Sequence, residues 1–154
     1  MITKNKLDKS FGEVGTSSGV FIFVVGLISI YFSLFGLILV LIGAFVGFTS
    51  TSTLIDFDKK RFKFSTNLFG IVPIGEWVYI TTDMKIGIKK SNKVWRTYSR
   101  SNRTLDITNR DYRIMLYDSN NKEIMPVQKT DNLESAKLNM DKISKQLGLN
   151  HRVA

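Results

Sequence analysis

Few side chains in this chain are equipped for chemistry. His151 is the only histidine and there is no cysteine. A nucleophile working with a general base would have to rely on that one imidazole, which is expected in a frayed tail. Asp56 and Asp58 lie two apart, hence on one face of a strand, where they can in principle share a cation. Lys59 and Lys60 follow directly, so the simpler expectation is a solvated hairpin end with local ion pairs. Gly70-Ile-Val-Pro-Ile-Gly75 carries two glycines at phosphate-loop spacing, but Glu76 and Trp77 stand where Lys and Ser or Thr are needed. Trp77 and Trp95 are read as core or half-buried strand residues. No catalytic residue, no metal site and no cofactor is expected, and the reading is of a protein that is not an enzyme.

What remains is charge. The chain carries a formal net charge of +9. Between Lys85 and Arg113 stand Lys85, Lys89, Lys90, Lys93, Arg96, Arg100, Arg103, Arg110 and Arg113, opposed only by Asp106 and Asp111, with Trp95 and Tyr98 among them. Three readings stay open for this band: a solvated face, contact with anionic lipid headgroups or an acidic protein surface, and nucleic-acid binding. Nucleic acid is the least supported, because no recognition-helix or RNP-like pattern accompanies the arginines. The residues expected to meet anionic lipid or an acidic partner are Lys85, Lys89, Lys90, Lys93, Arg96, Arg100 and Arg103.

The element that must position them is a long apolar run. From Val14 to Ile55 no residue is charged, and Val20–Phe48 is almost wholly apolar. Residues 16–50 are too long for one comfortable membrane helix of roughly 20 residues. Divided at Ser33, they give arms of residues 16–32 and 34–50. Lys4, Lys6 and Lys9 flank the run on one side and Lys59, Lys60, Arg61 and Lys63 on the other. Positive flanks stay cytoplasmic, so a two-helix hairpin returning to the same side is preferred over a single span. Gly19, Gly26 and Ser33 recur every seven residues, as do Gly36 and Gly43, and Gly43–Gly47 is a small-xxx-small pair. Gly19, Gly26, Gly36, Gly43 and Gly47 are therefore expected to pack helices in the membrane, against the other arm or against a second chain. A secretory signal is not expected, since the run far exceeds the roughly 7–15 residues of a signal core and no cleavage site follows.

Domain organisation follows. Residues 1–15 read as a polar tail, 16–50 as a transmembrane hairpin and 51–150 as a cytoplasmic domain. Within that domain the apolar period falls to two, giving short strands at residues 54–58, 61–65, 76–80, 84–88, 94–98, 103–107, 112–117 and 123–128, with Thr108-Asn-Arg-Asp111 and Asp118–Lys122 as turns. Pro126 points to an edge strand. At the end, Asp131 with Glu134 forms a capping box. Leu133, Ala136, Met140, Ile143 and Leu147 make one apolar stripe, and Gly148 closes the helix.

The residues 53–64 hairpin, Leu68-Phe-Gly with Trp77, the Tyr112–Tyr117 strand with its Asn-containing turn, and the Leu133–Leu149 helix together resemble bacterial pleckstrin-homology-like (PH-like) domains that follow a two-helix membrane hairpin. The chain is also similar to small membrane proteins of Bacteroidetes-type bacteria. The resemblance covers most of residues 16–149 as architecture. It implies a membrane α-hairpin plus an α+β, mainly-β domain: an antiparallel sandwich or barrel of seven to eight strands capped by a C-terminal helix. The resemblance bears on fold more than on function; with the charged flanks and the basic band, the function expected is a membrane-anchored, non-catalytic binding or scaffolding module facing the anionic inner leaflet or an acidic partner, at the bacterial inner (cytoplasmic) membrane with both termini cytoplasmic. The alternative is an accessory subunit of a larger membrane complex. Expected partners are membrane lipids and a membrane protein or a second copy.

Overall fold

The computed structural model describes residues 1–98 and 104–152, with side chains described outside residues 92–110. In chain order the elements are β1 (Ile2–Lys9), α1 (Gly12–Ile30), α2 (Phe35–Phe48), β2 (Ser50–Asp56), β3 (Arg61–Leu68), β4 (Val72–Ile74), β5 (Trp77–Tyr79), β6 (Lys85–Tyr98), β7 (Thr104–Tyr117), β8 (Glu123–Thr130), α3 (Leu133–Leu147) and β9 (Asn150–His151). One sheet has the order β1-β2-β3-β4, with β5 also pairing β3; the other has the order β8-β7-β6-β9. The protein is α+β, with a helix pair near the start and a helix near the end. Among the described residues neither sheet closes on itself. The expected barrel is thus corrected: the described residues form nine strands, not seven to eight, in two sheets without barrel closure.

Two further corrections concern the strands. Residues 2–9, read as part of a polar tail, form β1, whose half-buried row is Thr3, Asn5 and Leu7. With two polar residues on the inward row, the strand lacks the apolar alternation that marks one in sequence. The four short strands expected between residues 84 and 117 are two strands of 14 residues each. The reason lies in the register. Ser91 pairs Asp111, Asn92 pairs Arg110 and Val94 pairs Thr108, so the polar stretches read as breaks fall opposite one another and the ladder runs through both. Pro126 lies on β8, the edge strand of its sheet, opposite Met115 at a register shift. There its missing amide proton costs no ladder bond.

The chain forms two compact units, Lys6–Leu54 with Lys63–Trp77, and Met1–Asn5 with Ile55–Phe62 and Val78–Ala154. The second holds the main apolar core: Ile55, Phe62, Ile86, Ile114, Leu116, Met125 and Val127 meet Ile143, Leu147 and Leu149. α3 supplies its face through the expected stripe, with Ala136, Ile143 and Leu147 buried, although Leu133 is exposed. Its N-cap is Asn132, not Asp131: the Asn132 side chain accepts from the Glu134 amide at 3.0 Å. Gly148 takes φ 71, and the Gly148 and Leu149 amides both donate to the Ser144 carbonyl, ending the helix and turning Leu149 into the core.

The first unit is built on α1 and α2. The turn between them spans residues 31–34, so Ser33 lies in the connection and not on a helix face. α1 is long and apolar enough to cross a membrane, and only 17 % of its apolar window is buried. α2, at 14 residues, is a shorter apolar helix.

Candidate functional site

The α1–α2 pair is packed through glycine. Its buried residues are Gly12, Thr16, Gly19 and Gly26 on α1 and Gly36, Gly43 and Gly47 on α2. A methyl group placed at Gly19 would fall 2.4 Å from the Gly47 amide nitrogen, at Gly26 2.6 Å from that of Val40, and at Gly43 2.3 Å from that of Phe23. At Gly36 it would meet the Ile30 nitrogen at 2.3 Å, and at Gly47 the Val20 nitrogen at 2.9 Å. All five glycines singled out by spacing therefore line one antiparallel seam. Gly12 and Thr16 are also buried on α1, and Gly12 continues the seven-residue series of Gly19 and Gly26.

The outside of the pair is the reverse of a soluble one. Phe21, Leu27, Ile28, Phe35, Leu37, Ile38 and Leu41 are exposed. At the base of the pair, Phe23 meets Phe48 edge to face at 5.3 Å, and Phe45 meets both Phe11 and Phe69. Such T-shaped contacts fix the approach of two helices beyond simple area burial.

The basic band does not form a single described patch. Ile86 on β6 is fully buried, so by strand alternation Lys90 shares its row, while Lys85 and Lys89 lie on the opposite face. The latter two are already engaged: the Lys85 ammonium donates to Asn121 Oδ1 at 3.2 Å, and that of Lys89 reaches Glu123 Oε1 at 2.6 Å. Arg113 is buried against Asp111, with Nε 2.7 Å from Oδ2, and is withdrawn from any surface. Lys93 and Arg96 sit on β6 opposite Asn109 and Asp106. Their side chains, like Arg100 and Arg103 altogether, lie outside the described residues.

The acidic pair of the β2–β3 turn is divided by its environment. Asp56 is buried and accepts from Arg61 Nε at 3.0 Å and from the Lys59 amide at 3.3 Å. Burial pushes its carboxyl up, but the Arg61 bond, the Lys59 amide and the nearby positive charges outweigh this and hold it below its ordinary value. Asp58 is exposed and pairs with the Met1 ammonium. Each aspartate thus has its own cation, but the partners are Arg61 and the Met1 ammonium, not the Lys59 and Lys60 side chains, and Asp56 is buried where a solvated end was expected. His151 belongs to β9, paired beside Ile86, and not to a frayed tail; its Nε2 stands 3.6 Å from Asp141 Oδ1. Among the described residues no three acids or histidines converge on a metal-sized site.

One cavity escaped the sequence. About 480 Å³ opens between Thr3 and Asn5 of β1 and the Asn139–Lys142–Gln146 stripe of α3, over Ile55 and Ile143. Its lining offers the side-chain amides of Asn5, Gln128, Asn139 and Gln146, the Lys142 ammonium and the Asp58 carboxylate, the last already paired with the Met1 ammonium. No local pattern marks it, because its walls come from chain segments far apart in sequence. Compared with known family models, curated proteins and solved structures, the chain matches none.

Proposed function

We propose that this chain is a membrane-anchored, non-catalytic binding module, with the α1–α2 hairpin embedded in lipid and basic residues directed at anionic headgroups or an acidic partner. The inverted burial of the helix pair carries the reading. Glycine is inside, while Phe21, Leu27, Ile28, Leu37 and Leu41 are outside. In water that arrangement leaves a large apolar surface unburied; in hydrocarbon the exterior needs no cover, and close backbone approach supplies the packing. The low burial of α1 argues against the core helix of a soluble protein. A removed signal sequence fits less well, because α2 would lose the partner that fills Gly36, Gly43 and Gly47. The positive flanks favour the cytoplasmic side of a bacterial inner membrane.

An accessory subunit of a larger complex is the second reading, and the seam changes its form. Gly43 and Gly47 are filled by Phe23 and Val20 of the same chain, so a partner helix would meet the Leu and Phe exterior instead. The test is binding of the full-length protein to vesicles. With Arg96, Arg100 and Arg103 each replaced by Glu, the proposal expects attachment to neutral vesicles to persist and the extra affinity for anionic vesicles to disappear. Retention of a stoichiometric protein on mild-detergent purification, with no preference for anionic lipid, would favour the accessory subunit.

A further inference from the structure

The hairpin ends in an uncharged and highly exposed turn. Tyr31 is 88 % exposed, Phe32 80 %, Leu34 85 % and Phe35 77 %, and Ser33 is the only other residue between the helices. A loop delivered to water on the far side of a membrane would be expected to carry charge or several polar groups. This one carries none of the former, and most of its backbone donors are bonded within the hairpin. The Tyr31 amide donates to the Ile28 carbonyl, those of Phe32 and Ser33 to Ser29, that of Gly36 to Ser33 and that of Leu37 to Leu34. The Phe35 amide takes the Ser33 hydroxyl oxygen at 3.3 Å. A turn in water has no need of such satisfaction; a turn in hydrocarbon does.

Length points the same way. At about 1.5 Å per residue α1 as a whole, roughly 28 Å, is long enough to cross, but α2 reaches only roughly 21 Å and the apolar part of α1 from Val20 to Ile30, above its Thr16–Ser18 stretch, about 17 Å. Against a hydrocarbon core of about 30 Å, α2 falls short by roughly 9 Å. Gly19 lies against Gly47, so the apolar parts of the two arms run side by side and their lengths do not add. Below that level α1 continues through Thr16, Ser17 and Ser18 to Glu13, residues suited to the headgroup region.

We infer that the hairpin is a one-sided wedge: it enters from the leaflet that meets its polar ends, Glu13–Ser18 and Thr49–Thr53, and its Tyr31–Phe35 tip ends among acyl chains without reaching the opposite aqueous phase. This rests on the membrane reading above and assigns the tip its partner, the interior of the bilayer. The hairpin occupies lipid without presenting a loop to the other side.

The absence of native cysteine makes the test direct. Ser33→Cys, Leu34→Cys and Ser119→Cys are each placed in the full-length protein and treated with an impermeant maleimide, in intact bacterial cells and in inverted membrane vesicles. Leu34→Cys guards against loss of the Ser33 hydroxyl contact. The wedge predicts that Ser119→Cys is labelled only in inverted vesicles, while both tip cysteines react at least about tenfold more slowly from either side. A nitroxide on either tip cysteine, in reconstituted protein, is then relaxed by oxygen and shielded from a water-soluble nickel chelate. Labelling of the tip from the side opposite Ser119→Cys overturns the wedge and leaves a crossing hairpin in a membrane. Tip labels open to the nickel chelate and to maleimide from the same side as Ser119→Cys overturn the wedge and the membrane reading together.

Discussion

Replacing Gly43 with alanine adds one methyl group at a point 2.3 Å from the Phe23 amide nitrogen, and backbone cannot swing aside as a side-chain end can. Gly43→Ala should therefore force α1 and α2 apart. A loss of about 1–3 kcal/mol is expected for such overpacking, read as a lower unfolding midpoint of the full-length protein in mild detergent. Gly148 provides the contrast. Nothing lies within 4 Å of a methyl group there, but its φ is 71. Gly148→Ala should cost about 1–2 kcal/mol through conformation alone, and Gly148→Asn less. Asp56 adds a pH dependence. Its folded carboxyl titrates below its ordinary value of 3.8. Its contribution to stability is therefore full above that value and is lost as pH falls through the lower folded one. Asp56→Asn should be destabilising at neutral pH, with the gap to wild type closing only below 3.8. Equal gaps at all pH values in chemical unfolding would show that the Arg61 contact owes nothing to the carboxylate charge.

At the scale of elements, the most local signals were the most legible. α3 could be read because its stripe, its Asx cap and Gly148 lie within one stretch of sequence and agree with one another. Even so the cap was misplaced by one residue, since Asp131 and Asn132 have side chains of the same capping type. The structure separates them: Asn132→Ala should cost about 1 kcal/mol, and Asp131→Ala should stay within about 0.5 kcal/mol of wild type in thermal unfolding. β6 and β7 were misread for the opposite reason. Ser91-Asn92 and Thr108–Asp111 carry turn chemistry locally, and only the long-range register, Ser91 against Asp111, turns it into a continuing ladder. β1 was missed because its inward row includes Thr3 and Asn5; Asn5 Nδ2 donates to the Val127 carbonyl at 3.2 Å, so the row makes a polar contact where the pattern looks for an apolar one.

For the whole molecule, the seam was legible and the charged surface was not. Glycines at seven-residue spacing, and at the four-residue spacing of Gly43 and Gly47, fall on one helix face by geometry alone, so sequence could name Gly19, Gly26, Gly36, Gly43 and Gly47 while leaving open what they touched. The structure supplies the second arm as their partner. The basic band depends on strand alternation and cross-strand neighbours: Lys89 meets Glu123, Arg113 is buried on Asp111, and Lys90 shares the row of Ile86. The central claim is that the exposed Leu, Ile and Phe surface of the hairpin is covered by lipid. The direct measurement is density-gradient flotation of the full-length protein with phospholipid vesicles after an alkaline carbonate wash, beside a variant carrying Leu27→Asp and Leu41→Asp on that exterior. The account predicts that wild type floats with the vesicles and the double variant does not. Wild-type protein that stays at the bottom of the gradient as a soluble monomer would contradict it.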